Sequence, residues 1–449
     1  MTRRNFSISP HLTYRWVILG CCVLAYASSY LVRWSYTGLA SYISEDLDLD
    51  KAALGLMGSA FFFPYALAQV PWGTLTDRMG GRHIISWGVL LSAGGLALFA
   101  TSQGLGSAIL WRTMVGMVAA SAFVPIASLL AQWFQTRERG LANGIYYGLG
   151  GGLGEGAAFL LMPMIQLYLL HDAIFPFSGW RAATLFMAMV LSVVGLLCYW
   201  FLKSYPGDVW TAKPVPELDK FSSSVSTSHE GKSTPFSSPL RDPVLWLLGG
   251  YFAAGVIVLR LVPAWLVIFA SDVSVYEWGF ERERAVMIGG MIGTLYAIGH
   301  IAGSPLVGQL SDGLLSIGIN RMIISTIGIG IGAVAILVLT FPFSSPWVLA
   351  GIAGVLGVVL HTFPVINAMV AERWGTRHTG RSLGWINMCG QLAGAVALSL
   401  SGFVGMGLSS SSNVPLSEYT GIWYLAVACC MVGISCGWVA TKLSSQQPK

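Results

Sequence analysis

Apolar runs of around twenty residues alternate with short polar stretches along the chain, and each run is long enough to cross a hydrocarbon core of roughly 30 Å as a helix. The pattern predicts membrane helices at Trp16 to Ile43, Ala52 to Leu75, Ile84 to Thr101, Leu105 to Phe134, Leu141 to Leu170 and Arg181 to Leu202. A second set of six is predicted at Val244 to Ala270, Ala285 to Leu310, Met322 to Phe341, Trp347 to Ala371, Gly380 to Met406 and Tyr419 to Val439. Between the sets, Lys203 to Asp242 holds Pro206, Pro214, Pro216, a Ser/Thr-rich stretch and mixed charges, too polar for lipid and too poor in apolar residues for a core. The expected fold class is therefore an all-α membrane protein of twelve transmembrane helices in two six-helix bundles, residues 1–202 and 243–449, joined by a solvated linker over 203–242.

The halves repeat each other in sequence, which makes the two bundles pseudo-symmetric. Gly73-Thr-Leu75-Thr-Asp77 after the second run recurs as Gly308-Gln-Leu310-Ser-Asp312 after the eighth. Gly140, Gly144, Gly150 and Gly154 of the fifth recur with identical spacing as Gly380, Gly384, Gly390 and Gly394 of the eleventh.

Composition agrees with the runs. The 449 residues are 55% hydrophobic and only 10% charged, where a soluble chain carries about a quarter charged residues. The net charge of +5 is not gathered on a nucleic-acid-binding face but sorted by side of the membrane. With an even number of spans, Arg3, Arg4, Arg15, Arg78, Arg82, Arg137, Arg139, Arg373 and most other cations fall on the side of the termini, while Lys51, Arg181, Arg282 and Arg284 fall opposite, among Glu45, Asp46, Asp50 and Asp272. Positive charge is retained on cytoplasmic loops, so both termini and the linker are expected in the cytoplasm and the chain in the cell's inner membrane. All seven cysteines lie inside apolar runs, where they serve as small packing residues; neither a disulfide nor a metal site is expected. The first run follows Arg3, Arg4 and Arg15 but lacks a small-residue cleavage site, and reads as a retained helix.

The loop Gly73-Thr-Leu-Thr-Asp77-Arg78-Met-Gly80-Gly-Arg82 resembles the signature loop of the major facilitator superfamily, Gly-x-Leu-x-Asp-Arg-x-Gly-Arg-Arg/Lys. It departs only at Gly81, and the second copy carries Gly313 where Arg78 stands in the first. The resemblance implies a cytoplasmic latch between the halves made by Gly73, Asp77, Arg78, Gly80 and Arg82, with Asp312 in the second copy. Asp77 can there face the positive end of the eleventh helix and the cations Arg137 and Arg139. The plainer alternative is that Arg78 and Arg82 only follow the positive-inside rule. A finer resemblance runs over nearly the whole chain. Tyr26-Ala-Ser-Ser-Tyr30-Leu-Val-Arg33 and Val258-Leu-Arg260 with Trp265 resemble the first and seventh helices of the organophosphate:phosphate antiporters, which hold substrate phosphate between arginines at these two positions. Glu138-Arg139-Gly140 also suits the related anion:cation symporters. The coupling residues of both groups are missing: the antiporters' fifth-helix histidine falls at Gly150 and the symporters' fourth-helix glutamate near Ala119 or Ala120. Drug:proton antiporters fit less well, because their Gly-Pro falls at Gly152-Leu153.

An ionisable side chain at mid-bilayer costs several kcal/mol unless it faces protein or water. The runs contain few: Arg33, Arg112, Glu155, Arg260, His300 and His361. At a rise of about 1.5 Å per residue, Arg33, Glu155 and Arg260 lie at one level, roughly 22 to 25 Å from the cytoplasmic ends of their helices, with His300 and His361 close to it. Guanidinium forks bind phosphate or carboxylate bidentately, so Arg33 and Arg260 read as an anion clamp, or else as a buried pair neutralised by carbonyls or Glu155. Tyr26, Tyr30, Tyr65 and Gln391 complete the expected substrate-binding set. Glu155 reads as a proton carrier or a fixed counter-ion to one arginine, and His300 and His361 as fallback carriers or packing residues. Arg112, nearer the outer end, is expected to snorkel.

The expected activity is secondary transport of a small organic anion, an organophosphate or a carboxylate, by alternating access as a proton symporter or a phosphate-exchanging antiporter. A transporter-like anion sensor and a drug efflux pump are the rivals. The sequence holds no metal-ligand spacing, nucleophile elbow or phosphate loop, so the expectation is no enzyme, no cofactor, no nucleic-acid partner, and a monomer in the bilayer.

Overall fold

A computed structural model describes residues 10–135, 138–169, 179–205, 242–342, 345–361, 363–407 and 415–445. Most of the expected linker lies outside the described residues. Twelve membrane helices follow in order: α1 Pro10–Gly38, α2 Lys51–Met79, α3 Gly81–Phe99, α4 Leu105–Trp133, α5 Arg139–Tyr168, α6 Trp180–Phe201, α7 Pro243–Tyr276, α8 Arg282–Ser316, α9 Arg321–Val338, α10 Pro346–Val359, α11 Phe363–Gly407 and α12 Pro415–Ser445. Among the described residues, eleven are long and apolar enough to cross a membrane; α10, with 14 residues, is the shorter one.

Local chemistry sets the helix ends. Asp50 caps α2 by accepting from the Ala53 N–H at 2.7 Å, and Asp242 caps α7 by accepting from that of Val244 at 2.9 Å, each satisfying a backbone donor the helix leaves free. Gly80 ends α2 at φ +79, a backbone state that only glycine adopts cheaply.

Two expected boundaries are corrected. The first run divides into α1, ending at Gly38, and a short helix, Ala40–Leu47. The tenth is not one helix to Ala371: α10 stops at Val359, the chain is non-helical at His361, and helical backbone resumes at Phe363 and continues through the expected loop to Gly407. Pro364 sits in the first turn of the resumed helix, where its missing N–H is one the helix leaves free. Arg373 pairs with the α7 cap Asp242 at 2.9 Å and Gln391 accepts from Arg260 at 2.7 Å, so α11 runs alongside α7 from its start to its middle.

Helices α1 to α6 pack mainly on one another, as do α7 to α12, and the two sets meet along α2 against α11 and α5 against α8. These seams exchange under the internal repeat, α2 corresponding to α8 and α5 to α11. Both are built on glycines that let backbones touch. A Cβ at Gly402 would lie 2.5 Å from the Lys51 carbonyl oxygen, and one at Gly290 would lie 2.4 Å from that of Phe159.

The two sides of the molecule differ. On the acidic side, ion pairs cross between the halves: Lys51 with Glu418, Lys51 with Asp272 at 3.8 Å, and Arg282 with Glu45 at 3.0 Å. Towards the basic side, a Cβ added at Gly140, Gly144, Gly308 or Gly384 would meet open space. Among the described residues, ion pairs thus join the halves on the acidic side, while these glycines leave room on the basic side.

Candidate functional site

Helical spacing brings the polar residues of the membrane interior onto inward faces. Tyr26, Tyr30 and Arg33 follow at i, i+4 and i+7 on α1, Tyr65 and Gln69 at i and i+4 on α2, and Asn387 and Gln391 likewise on α11, so each set forms one stripe. With Phe123, Tyr147, Glu155, Phe252, Arg260 and His361 they line one cavity between the halves. Its volume is about 40 Å³, room for little more than a water molecule. A substrate enters only as the halves move.

Arg33 and Arg260 come from opposite halves and are buried. The Arg33 guanidinium lies over Tyr30 at 4.2 Å and Tyr65 at 4.9 Å, and that of Arg260 over Phe62 at 4.2 Å, contacts that compensate part of the desolvation of a buried cation. Arg260 donates to Gln391 Oε1 at 2.7 Å, Gln391 to Asn387 Oδ1 at 3.3 Å, and Asn387 to Gln69 Oε1 of the other half at 2.7 Å. The Nε of both arginines is buried with no hydrogen-bond partner among the described residues.

Glu155 sits in α5 between two widened π-type turns, Tyr146–Gly150 and Ala157–Leu161, irregularities that recur at functional sites. Its Oε2 is 3.0 Å from Nδ1 of His300, across the α5–α8 seam. His300 stacks on His361 with ring centroids 3.5 Å apart and planes 11° from parallel, and His361 Nδ1 donates to the Gly357 carbonyl at 2.7 Å. Glu155, His300 and His361 each offer a ligand atom within 4.8 Å of the others, the donor types a transition metal takes.

Arg112 departs from expectation. It does not snorkel but is 1% exposed. It donates to the carbonyls of Val32 at 2.8 Å, Arg33 at 2.9 Å and Met57 at 3.3 Å, with Tyr36 beneath it. It therefore fixes the backbone that carries Arg33. Sequence reasoning also passed over Gln69, Asn387 and Tyr147. The available signal was a side-chain amide one turn from a residue already singled out, Gln69 after Tyr65 and Asn387 before Gln391.

A family model for the Major Facilitator Superfamily matches residues 22–398. The chain belongs to that superfamily. Among its relatives is a "Probable hexose phosphate transport protein" of Chlamydia pneumoniae, 23% identical over 64% of this chain and 62% of its own length. The "Probable galactarate/D-glucarate transporter GudP" of Escherichia coli K12 is 23% identical over 93% of this chain and 92% of its own. The chain thus spans under two thirds of the first of these and nearly all of the second. In fold, it superposes on the crystal structure of a bacterial homologue of the human lysosomal transporter Spinster, in an inward-facing, occupied conformation, with a TM-score of 0.72 and 16% identity over 97% of this chain and 99% of that one.

In this member of the superfamily the signature loop is placed in part. Arg82 donates to the Tyr199 carbonyl at 2.9 Å, a Cβ at Gly80 would meet Ser204 Oγ at 2.5 Å, and Gly73 packs near Val124, so the loop is fastened to the end of α6. Arg78 is exposed. Arg139 donates to the carbonyls of Ala131 at 2.6 Å and Phe134 at 3.1 Å, closing the end of α4. Arg137 and the side chains of Asp77 and Asp312 lie outside the described residues.

Proposed function

We propose that this transporter carries a small organic anion, clamped between Arg33 and Arg260, by alternating movement of the bundles 1–202 and 243–449 about the central cavity. The observation that carries the reading is a pair of buried guanidinium groups, one from each half, lining one cavity, each with an unpartnered Nε. Leaving a buried donor unsatisfied costs about 1–3 kcal/mol, more when it is charged, and the one carboxylate among the described residues lining the cavity, Glu155, is bonded to His300 instead. A phosphate or carboxylate supplies the missing acceptors to both halves at once. Tyr26, Tyr30, Tyr65 and Gln391 supply further donors around it. A phosphorylated metabolite and a sugar acid are the preferred classes, in keeping with the names of the two relatives.

The basic side faces the cytoplasm in this reading, because cations are retained there, and the membrane is the cell's inner one. Accumulation draws on a proton carried with the substrate or on phosphate exchanged for it. A thermal-shift screen of the purified protein against phosphates, sugar acids and dicarboxylates tests the anion assignment, since a ligand bound only by the folded state stabilises it by mass action. One anion class should raise the melting temperature of the parent and not of Arg33→Ala or Arg260→Ala. Near-normal uptake by either Ala variant would sink the clamp and favour a carrier of uncharged compounds.

A further inference from the structure

We infer that Glu155, His300 and His361 together hold one exchangeable proton at the seam between the two halves, and that this proton is gained and lost only as the halves move apart. The inference rests on the reading of the chain as an ion-coupled anion carrier and assigns the coupling to a place and a stoichiometry.

Position is the first argument. Glu155 belongs to α5 of the first half and His300 to α8 of the second, so their 3.0 Å hydrogen bond is a link between the moving parts. The seam closes tightly over it. A Cβ at Gly151 would lie 2.7 Å from His300 Cε1 and one at Gly152 would lie 2.8 Å from the Ala297 carbonyl oxygen. His300 is 0% and Glu155 2% exposed. Water from outside therefore reaches this hydrogen bond only when the halves move, by parting of α5 from α8 or by opening of the central cavity that Glu155 also lines.

Stoichiometry follows from the stack. The Gly357 carbonyl can only accept, so Nδ1 of His361 carries a hydrogen and its Nε2 is the site left for a further proton. His300 has Nδ1 committed to Glu155 and Nε2 buried without a partner among the described residues. Two imidazolium rings 3.5 Å apart face to face would repel strongly. The stack therefore takes at most one proton, which it shares with Glu155 through the hydrogen bond to His300.

The same geometry argues against a metal. An ion shared by the two imidazoles would sit about 1.75 Å from each ring plane, half of the 3.5 Å separation. At a metal–nitrogen distance of about 2.0–2.1 Å it would then lie far out of both planes, where the lone pairs do not point. Charge points the same way, because Arg33 and Arg260 line the same cavity. Two guanidiniums and one carboxylate sum to +1; a proton brings this to +2, which a dianion neutralises, whereas a divalent ion brings it to +3. The groups facing the trio are Tyr26, Tyr30 and Arg33 of α1, Tyr65 of α2, Tyr147 of α5, Arg260 of α7 and Tyr296 of α8, with no second carboxylate among them.

The test follows the seam and not uptake. Spin labels at Thr101→Cys and Glu283→Cys, exposed residues on the acidic side of opposite halves, report its opening in the full-length protein in lipid nanodiscs, with accessible native cysteines replaced. The distance distribution of the parent should shift with pH along a one-proton curve. Glu155→Gln and His361→Gln should each flatten that curve, as should His300→Gln where it folds. Arg33→Ala should keep the shift while losing anion uptake, so failure of the clamp and failure of this inference give different results. A parent indifferent to pH between about 5 and 9, or a two-proton curve, overturns the proposal, as does an unchanged curve in Glu155→Gln or His361→Gln. Stabilisation of the parent by Zn²⁺ that is lost in His361→Gln would also overturn it, making the trio a metal site.

Discussion

Arg33 and Arg112 are the same residue type in touching positions, yet the structure gives them opposite work. Arg112 is satisfied by three backbone carbonyls, whereas the described contacts of Arg33 are with aromatic faces, and its Nε is unpartnered. Replacing Arg33 or Arg260 by Ala, or by Lys, should weaken anion binding by about ten- to a hundredfold, the value of one charge-assisted hydrogen bond, with the fold intact; Lys fails because it lacks the fork. Binding of labelled anion to detergent-purified variants checks this. Arg112→Ala should behave differently, lowering the melting temperature by several degrees because buried acceptors lose their donor, and a normal melting temperature with selectively lost binding would place Arg112 in the anion site instead. The level shared by Arg33, Glu155 and Arg260 was legible in the sequence because rise per residue is constant. What faces them was not. The His300–His361 stack and the Gln69–Asn387 contact join residues far apart in sequence, so only packing between helices decides them.

At the scale of the helix, the twelve spans were legible because lipid demands long apolar runs, and most boundaries moved by only a few residues. The break before α11 was harder to see, since the run from Trp347 to Ala371 is apolar apart from His361, Thr362 and Asn367, and hydropathy carries no information about backbone direction. Pro364 was the available sign. The seams were legible as glycine spacing but not as partners. Because a Cβ at Gly402 would come within 2.8 Å of the Ala52 Cα and 2.5 Å of the Lys51 oxygen, Gly402→Val should part α2 from α11 on the acidic side. A cysteine at Ser399, which bonds Ser59 across that seam at 2.6 Å, should then react faster with a membrane-impermeant maleimide. Gly384→Val, facing open space, serves as the control. Equal reactivity in the two would mean that the seam yields without opening.

For the whole molecule, the unequal sides imply two opposed sets of contacts, each favouring closure of its own side. The acidic set is visible: Lys51 and Glu45 of the first half against Glu418, Asp272 and Arg282 of the second. Their side chains are 18% to 64% exposed, so each pair is worth about 0–1 kcal/mol, small for stability but enough to move a balanced equilibrium. Lys51→Ala removes two of these pairs and its approach to the Tyr419 ring. We expect it to shift about two- to fivefold of the population away from the acidic-closed state, the factor that up to about 1 kcal/mol gives. The opposing set is the proposed latch of the signature loop, in which Asp77→Asn should favour the acidic-closed state and slow turnover without weakening anion affinity much, because that loop lies far from the cavity and biases only the conformational equilibrium. The decisive measurement is the double variant. If the two sets oppose each other, Lys51→Ala with Asp77→Asn restores the parent's distance distribution across the acidic side, because contributions from distant sites add. Should the two single variants shift the distribution in the same direction, the signature loop is not a latch on the opposite side, and Arg78 and Arg82 are left with only the retention of positive charge.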